Sequence, residues 1–443
     1  MLSRVSARCV RSSLRSFSSV REERDCEFGQ EHLHPALPRL LSSPIKQAKG
    51  SYLELEDGRK ILDYTTGIGV CNTGHCHPRV VEAAMEQTKK IIHSQLYMAF
   101  SRPMLNLMDR LVDIMPDPSL DCFLFANSGA EAVENAVKLA KMATGRPNVI
   151  VMDGSFHGRT YAASSLTNSK SIYRKGARPE MGGISVAPFP YCFHCDNSCS
   201  DKGCCMKSAQ HISEIFKKQV AADEVAAIML EPVLGEGGYV VPPAEYVQSL
   251  REICDKHGIL LILDEVQSGF GRTGKWFAHE HFDVRADIMI MAKGIASGFP
   301  LSAIAANRSL MKAQPVGTVG GTYAGNAVAC AAASATIDVI QEEGLLQNSL
   351  DRGEQLREGL KELESLSTTI DIRGLGSMNA VEFKDVPTGT VSKITSRCAS
   401  NGVLLLTTSA YETIRFIPPL NTTKEEIDTC VKVFVDAAKE FVQ

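Results

Sequence analysis

The sequence predicts an α/β protein. A large domain on a mostly parallel sheet is followed by a smaller C-terminal α+β domain and preceded by an N-terminal segment. Three observations predict this. Residues 122–125, 148–152, 226–230, 259–263 and 288–292 are short runs, apolar apart from Asn148 and bounded by turn residues. Such runs read as strands buried on both faces, as in parallel sheets. Between them lie helical patterns, the clearest placing Ala132, Val133, Ala136, Val137 and Ala140 on one face. After about residue 331 the texture changes to charged helices, at 348–366 and 424–441, around a short strand at 402–406. The expected divisions are 1–21, 22–75, 76–330 and 331–443.

With 443 residues the chain is long enough for two domains. Hydrophobic residues at 44% and charged residues at 22% suit a soluble globular protein. No apolar run is long enough to span a bilayer, so no membrane partner is expected. A net charge of −4, with no basic stripe beyond the N-terminus, argues against a nucleic-acid partner. Residues 1–21 stand apart, with five Arg, seven Ser and no acid. Arg4, Arg8, Arg11 and Arg15 fall near one helical face. This is the composition of a mitochondrial transit peptide, or of a disordered basic tail. Without those five arginines the net charge becomes −4 − 5 = −9. A transit peptide implies the mitochondrial matrix.

Taken in order, residues 51–63 alternate around Asp57-Gly58 and read as a hairpin. Gly67, Gly69 and Gly74 then break regular structure, and Pro78 suits the first turn of a helix. His75 and His77 invite a metal reading, but no acid or cysteine completes a set nearby in sequence, so none is assigned. The run at 122–125 leads into Ser128-Gly129-Ala130 at the start of a helix. Free amides and the positive dipole end there suit a phosphate. Simple N-capping by Ser128 is the plainer alternative. Of fourteen cysteines, five cluster between Cys192 and Cys205 beside His194. Their spacing fits no tight metal template. Reduced thiols are the simpler reading, with zinc or iron–sulfur binding as a side possibility.

Two strands end on charges: residues 259–263 at Asp264, and 288–292 at Lys293. Ligands gather at the carboxyl ends of strands in open α/β sheets, so both side chains are expected in one crevice. A lysine in apolar surroundings has a lowered pKa and can condense with an aldehyde. A carboxylate on a pyridinium nitrogen keeps the ring an electron sink. Together they suggest pyridoxal 5'-phosphate (PLP), against the alternative of an ordinary buried Asp–Lys ion pair.

LDEVQSGFGRTGKWFAHEHF at 263–282 and DIMIMAKGIASGFPLSA at 287–303 closely resemble the class III aminotransferases. That family includes the 4-aminobutyrate, ornithine and acetylornithine enzymes. The likeness runs along nearly the whole chain after about residue 45, and implies the PLP-dependent transferase fold of type I. By this resemblance Lys293 is the Schiff-base lysine and Asp264 the pyridinium partner, with Gln267 near the ring hydroxyl. Ser128, Gly129 and Ala130 take the cofactor phosphate, and Phe156 stacks on its ring. Thr322, in GGTYAGN, reaches the cofactor phosphate of a neighbouring subunit, which implies a homodimer with shared active sites. Ile68 is a candidate for lining the substrate pocket.

Arg159 resembles the family's carboxylate clamp, a task suited to a bidentate guanidinium, although a structural salt bridge would also explain it. Glu236 in EPVLGEGG resembles the acid that pairs with a later arginine, here Arg415. Such a gated pair would let one site accept an ω-amino acid and then 2-oxoglutarate without leaving a buried charge unpaired. The expected function is therefore transamination of an ω-amino acid, best matched by 4-aminobutyrate, with 2-oxoglutarate as acceptor. The products would be succinate semialdehyde and glutamate. Ornithine or acetylornithine, β-amino-acid or alanine–glyoxylate type chemistry, and a racemase of the same family are the alternatives. A Cys-rich metal-binding or scaffold protein would leave the agreement of Ser128, Phe156, Asp264 and Lys293 unexplained.

Overall fold

The computed structural model describes residues 24–195 and 203–442. Residues 1–21 and Cys199 lie outside these, as do the side chains of Cys204 and Cys205.

The N-terminal segment forms an antiparallel unit of β1 (Ile45–Lys49), β2 (Tyr52–Leu55) and β3 (Lys60–Asp63). The expected hairpin is β2–β3. Its connection takes four residues, 56–59, because Asp57 Oδ1 accepts from the Arg59 amide at 2.9 Å and widens the turn. The additional strand β1 carries mostly exposed side chains, so its sequence shows no core pattern.

The large sheet contains β4 (Cys122–Ala126), β5 (Asn148–Met152), β6 (Ile184–Ala187), β7 (Val225–Leu230), β8 (Leu260–Asp264), β9 (Ile288–Met291) and β10 (Ser302–Ala306). Its order is β4-β10-β9-β8-β7-β5-β6. The pairings β8–β9, β7–β8, β5–β7 and β5–β6 are parallel, and β10 runs against both neighbours. The apolar runs have a direct cause. Val149, Val151, Met229, Ile262 and Ile290 pack on one face with the helix Gly129–Thr144. Ile150, Met152, Ile228, Leu261 and Met289 pack on the other face in a second cluster. With helices on both faces, every strand position gains from being apolar, roughly 1.5–3 kcal/mol for each large side chain buried. β6 and β10 escaped prediction because one is a short edge strand and the other is built mostly of Ala and Ser.

A separate core gathers Leu356, Leu360, Val381, Ile394, Ile414, Phe416, Ile427 and Phe434. It lies around β11 (Ile370–Leu375), β12 (Met378–Phe383), β13 (Val403–Leu404), β14 (Leu406–Thr408) and β15 (Thr413–Phe416). The strand expected at 402–406 is split. β13 pairs with β3 and β14 pairs with β15, so consecutive residues serve two sheets. The helix expected at 348–366 spans Leu345–Leu360 and tightens to a 3-10 turn at Lys361–Ser365. The helix Lys424–Phe441 begins on a Thr423–Glu426 capping box. The expected boundary at residue 331 falls inside the helix Ala327–Glu342, whose Cys330, Ala333, Ile337 and Ile340 belong to the large core. Leu62 and Tyr64 of the N-terminal segment complete the small core.

Candidate active site

The parallel strands β5, β7, β8 and β9 share one carboxyl edge, and a cleft of about 310 Å3 opens there. Ser128, Gly129 and Ala130 after β4, Phe156 after β5, Glu236 after β7, Asp264 and Gln267 from β8 onward, and Lys293 after β9 all line it. Eight residues singled out in sequence thus meet in one space. Arg415 on β15 reaches the same place by an ion pair to Glu236 Oε1.

Asp264 does not pair with Lys293. Its Oδ2 lies 2.7 Å from His157 Nδ1, and its Oδ1 accepts from the Val266 amide at 3.1 Å. His157 and Asp264 are both buried. Lys293 Nζ makes no hydrogen bond or ion pair among the described residues, and its backbone sits in the left-handed region at φ 47°. The ordinary ion-pair reading of these two residues is thereby excluded. Burial lowers the Lys293 ammonium to about 8, so a sizeable neutral fraction exists near physiological pH.

Two buried carboxylates flank the cleft. Burial disfavours charge on Glu236, but Arg415 outweighs it and holds the carboxyl below its usual range. Glu231 has no Arg or Lys paired with it among the described residues, and the nearby His157 offsets its burial only in part. Burial raises it to about 7, and it accepts from the Phe156 amide at 2.8 Å and the Gly235 amide at 3.0 Å. Its folded-state value lies above the usual 4.5. Its contribution to stability is therefore full at low pH and is lost as pH rises through about 7. Glu231→Gln cannot ionise, so urea melts between pH 4.5 and 7 should lose part of their downward slope. An unchanged slope would show that Glu231 is not the group responsible.

Sequence reasoning missed His157, Glu231 and Tyr173. The FHGRT stretch held the signal for His157, but its partner lies 107 residues away. Arg159 is exposed, with its guanidinium 4.3 Å from the Tyr173 ring centre and 5.8 Å from that of Phe156. No carboxylate pairs with it among the described residues. Ile68 does not line the cleft. Gly67 and Ile68 both adopt left-handed backbone, which turns Ile68 to the surface, and Val70 lines the cleft instead. Thr322 is exposed and outside the cleft. An acid does stand beside His75: Asp63 Oδ2 is 2.8 Å away, while His77 pairs with Glu343 at 3.1 Å. Among the described residues no three or more His, Cys, Asp or Glu side chains gather as a metal site. In the cysteine insert, His194 pairs with Glu382 and stacks on Tyr411, with ring centres 3.6 Å apart.

The sequence profile of the family "Aminotransferase class-III" matches residues 37–438. The chain is a class-III aminotransferase. Among curated relatives of this aminotransferase is the 5-aminovalerate aminotransferase DavT of Pseudomonas putida. It is 39% identical over 89% of this chain and 93% of its own. The 4-aminobutyrate aminotransferase GabT of Escherichia coli is 38% identical over 84% and 87%. The acetylornithine aminotransferase of Methanosarcina mazei is 40% identical over 89% and 92%. Among solved structures, an amine transaminase from an uncultivated Pseudomonas species in PLP-bound form superposes with a TM-score of 0.87. It is 29% identical and covers 92% of this chain and 98% of that one.

Class-III aminotransferases depend on PLP, and the cleft fits it. Among the described residues Gln267 Oε1 is buried without a partner, an acceptor that a ring hydroxyl would satisfy. Gly158 has φ 132°, and a Cβ there would meet Ala130 Cβ at 2.8 Å. The glycine thus lets the Phe156 loop close on the helix start that carries the free Gly129 and Ala130 amides. Ser128 caps that helix by accepting from the Glu131 amide at 3.3 Å, which is the plainer of its two sequence-based readings.

Proposed function

We propose that this aminotransferase takes the amino group of 4-aminobutyrate, or an ω-amino acid of similar length, and passes it to 2-oxoglutarate, giving succinate semialdehyde and glutamate. The observation that carries the reading is the buried Glu236–Arg415 pair beside Lys293. A donor without an α-carboxylate leaves the pair closed. An α-carboxylate from the acceptor replaces Glu236 on Arg415, while Arg159 clamps the distal carboxylate.

Bound PLP supplies an aldehyde and an electron sink. Gly129, Ala130 and Ser128 would hold its phosphate, Phe156 would stack on its ring, and Gln267 would take its ring hydroxyl. Asp264, braced by His157, would hold a proton at the ring nitrogen. Lys293, in the cleft beside these groups, would serve as the base and then the acid that moves the substrate's proton. Thr322 completes the phosphate site of a second subunit in a homodimer. The support is a surface patch of exposed Tyr97, Met98, Phe100, Val316 and Tyr323. Its two segments are tied by Asn326 Nδ2 donating to the Ile92 carbonyl at 3.1 Å. The Arg- and Ser-rich composition of residues 1–21 supports the mitochondrial matrix as the site of action.

The test is a half-reaction on PLP-loaded protein, following the cofactor's absorbance as its aldehyde becomes an amine. Conversion by 4-aminobutyrate, reversed by 2-oxoglutarate and not by pyruvate, is expected. The relatives acting on 5-aminovalerate and acetylornithine name the competing donors. Conversion by one of these and not by 4-aminobutyrate would discard the substrate assigned here. Arg415→Leu should slow the 2-oxoglutarate step about 100-fold, and the donor step much less. Equal losses in both steps would remove Arg415 from acceptor recognition.

A further inference from the structure

We infer that Tyr173 is a specificity-determining residue that sets how readily the site opens to substrates bearing a second carboxylate. The inference rests on the gated-pair reading of Glu236 and Arg415.

The tyrosine ends a short 3-10 turn, Ser171–Tyr173. Its hydroxyl donates to Glu236 Oε2 at 3.1 Å, while Glu236 Oε1 takes Arg415. The two oxygens of the gate carboxylate are therefore held by different groups. The Tyr173 ring stands edge-on to Phe156, with centres 5.2 Å apart, and lies under the Arg159 guanidinium at 4.3 Å. One side chain thus touches the gate acid, the clamp assigned to the distal carboxylate and the aromatic assigned to the cofactor ring. Burial pushes its phenol up to about 12, with Glu236 adding to the shift, so it remains a donor throughout the working pH range.

A closed gate keeps both the Arg415 ion pair and the Tyr173 hydrogen bond; an open gate loses both. A ligand that needs Arg415 free binds with an affinity reduced by the fraction of molecules that are open. A hydrogen bond to a charged acceptor is strong enough to change that fraction about tenfold. Tyr173→Phe removes one oxygen and keeps the ring on Phe156 and Arg159, so it isolates the gate contact.

The experiment measures binding of two unreactive probes to the PLP-loaded protein by calorimetry. Glutarate carries two carboxylates and must displace Glu236; butyrate carries one and need not. Tyr173→Phe should raise the glutarate-to-butyrate affinity ratio about tenfold. It should also lower the KM for 2-oxoglutarate relative to that for the ω-amino donor, with less change in kcat. Glu236→Gln in the same assay tests the underlying gate. If Glu236→Gln shifts the ratio and Tyr173→Phe does not, the role given to Tyr173 is wrong. If neither shifts it, the gate itself is wrong and the inference falls with it. Equal weakening of both probes by Tyr173→Phe would mark a packing role and overturn the proposal.

Discussion

Lys293→Ala should abolish transamination, with a loss of at least about 10⁴-fold in turnover, the upper end of what one proton-transferring group contributes. The geometry leaves no substitute. Lys293 Nζ makes no hydrogen bond or ion pair with another described residue, and burial has already lowered it to about 8. Lys170 is the other amine close to Glu236 and Arg415; it too is lowered by burial, but it does not line the cleft. Borohydride reduction of the PLP-loaded protein, followed by peptide mass spectrometry, checks the assignment directly. The cofactor mass should appear on the peptide holding residue 293 and be absent in the variant. The rate of cofactor capture should rise with pH through about 8 and level off above it, because only the neutral amine attacks. Retained turnover in Lys293→Ala would sink the assignment of the whole site.

Asp264→Asn should cost about 10²–10³-fold in turnover, the range for removing one preorganised electrostatic group. Asparagine keeps the shape and replaces one carboxylate oxygen with an NH2 group. It cannot accept from both His157 Nδ1 and the Val266 amide as Asp264 does. Nor can a neutral amide hold a proton on a ring nitrogen as a carboxylate does. The loss should lie in kcat more than in KM, since the carboxylate acts on the reacting state more than on substrate capture. Comparing single-turnover rates with bound-cofactor content separates chemistry from cofactor loss. Normal single-turnover rates with full occupancy would remove Asp264 from the chemistry.

Much of this was legible in the sequence, and for a definite reason. Asp264 and Lys293 each stand at the end of an apolar run, and such runs persist only where both faces of a strand are covered. Parallel neighbours then bring their carboxyl ends to one edge. The helix start at the cleft was legible because helix N-terminal chemistry is local: strand, turn, Ser128, Gly129, helix. The exposure of Ile68 was not legible, because it follows from left-handed backbone at Gly67 and Ile68 and not from the segment's residue pattern.

The chain by itself determined the α/β architecture, the strand ends that carry Asp264 and Lys293, and the glycine-bearing helix start. These follow from hydrophobic periodicity and backbone sterics within a few residues. Only the tertiary structure decided which charges meet. His157 finds Asp264 across 107 residues, Glu236 finds Arg415 across 179, and Tyr173 reaches Glu236 across 63. Those pairings depend on strand order and on how the β15 sheet docks beside the large one. Coulomb and hydrogen-bond energies act over a few ångströms of space and carry no record in local sequence.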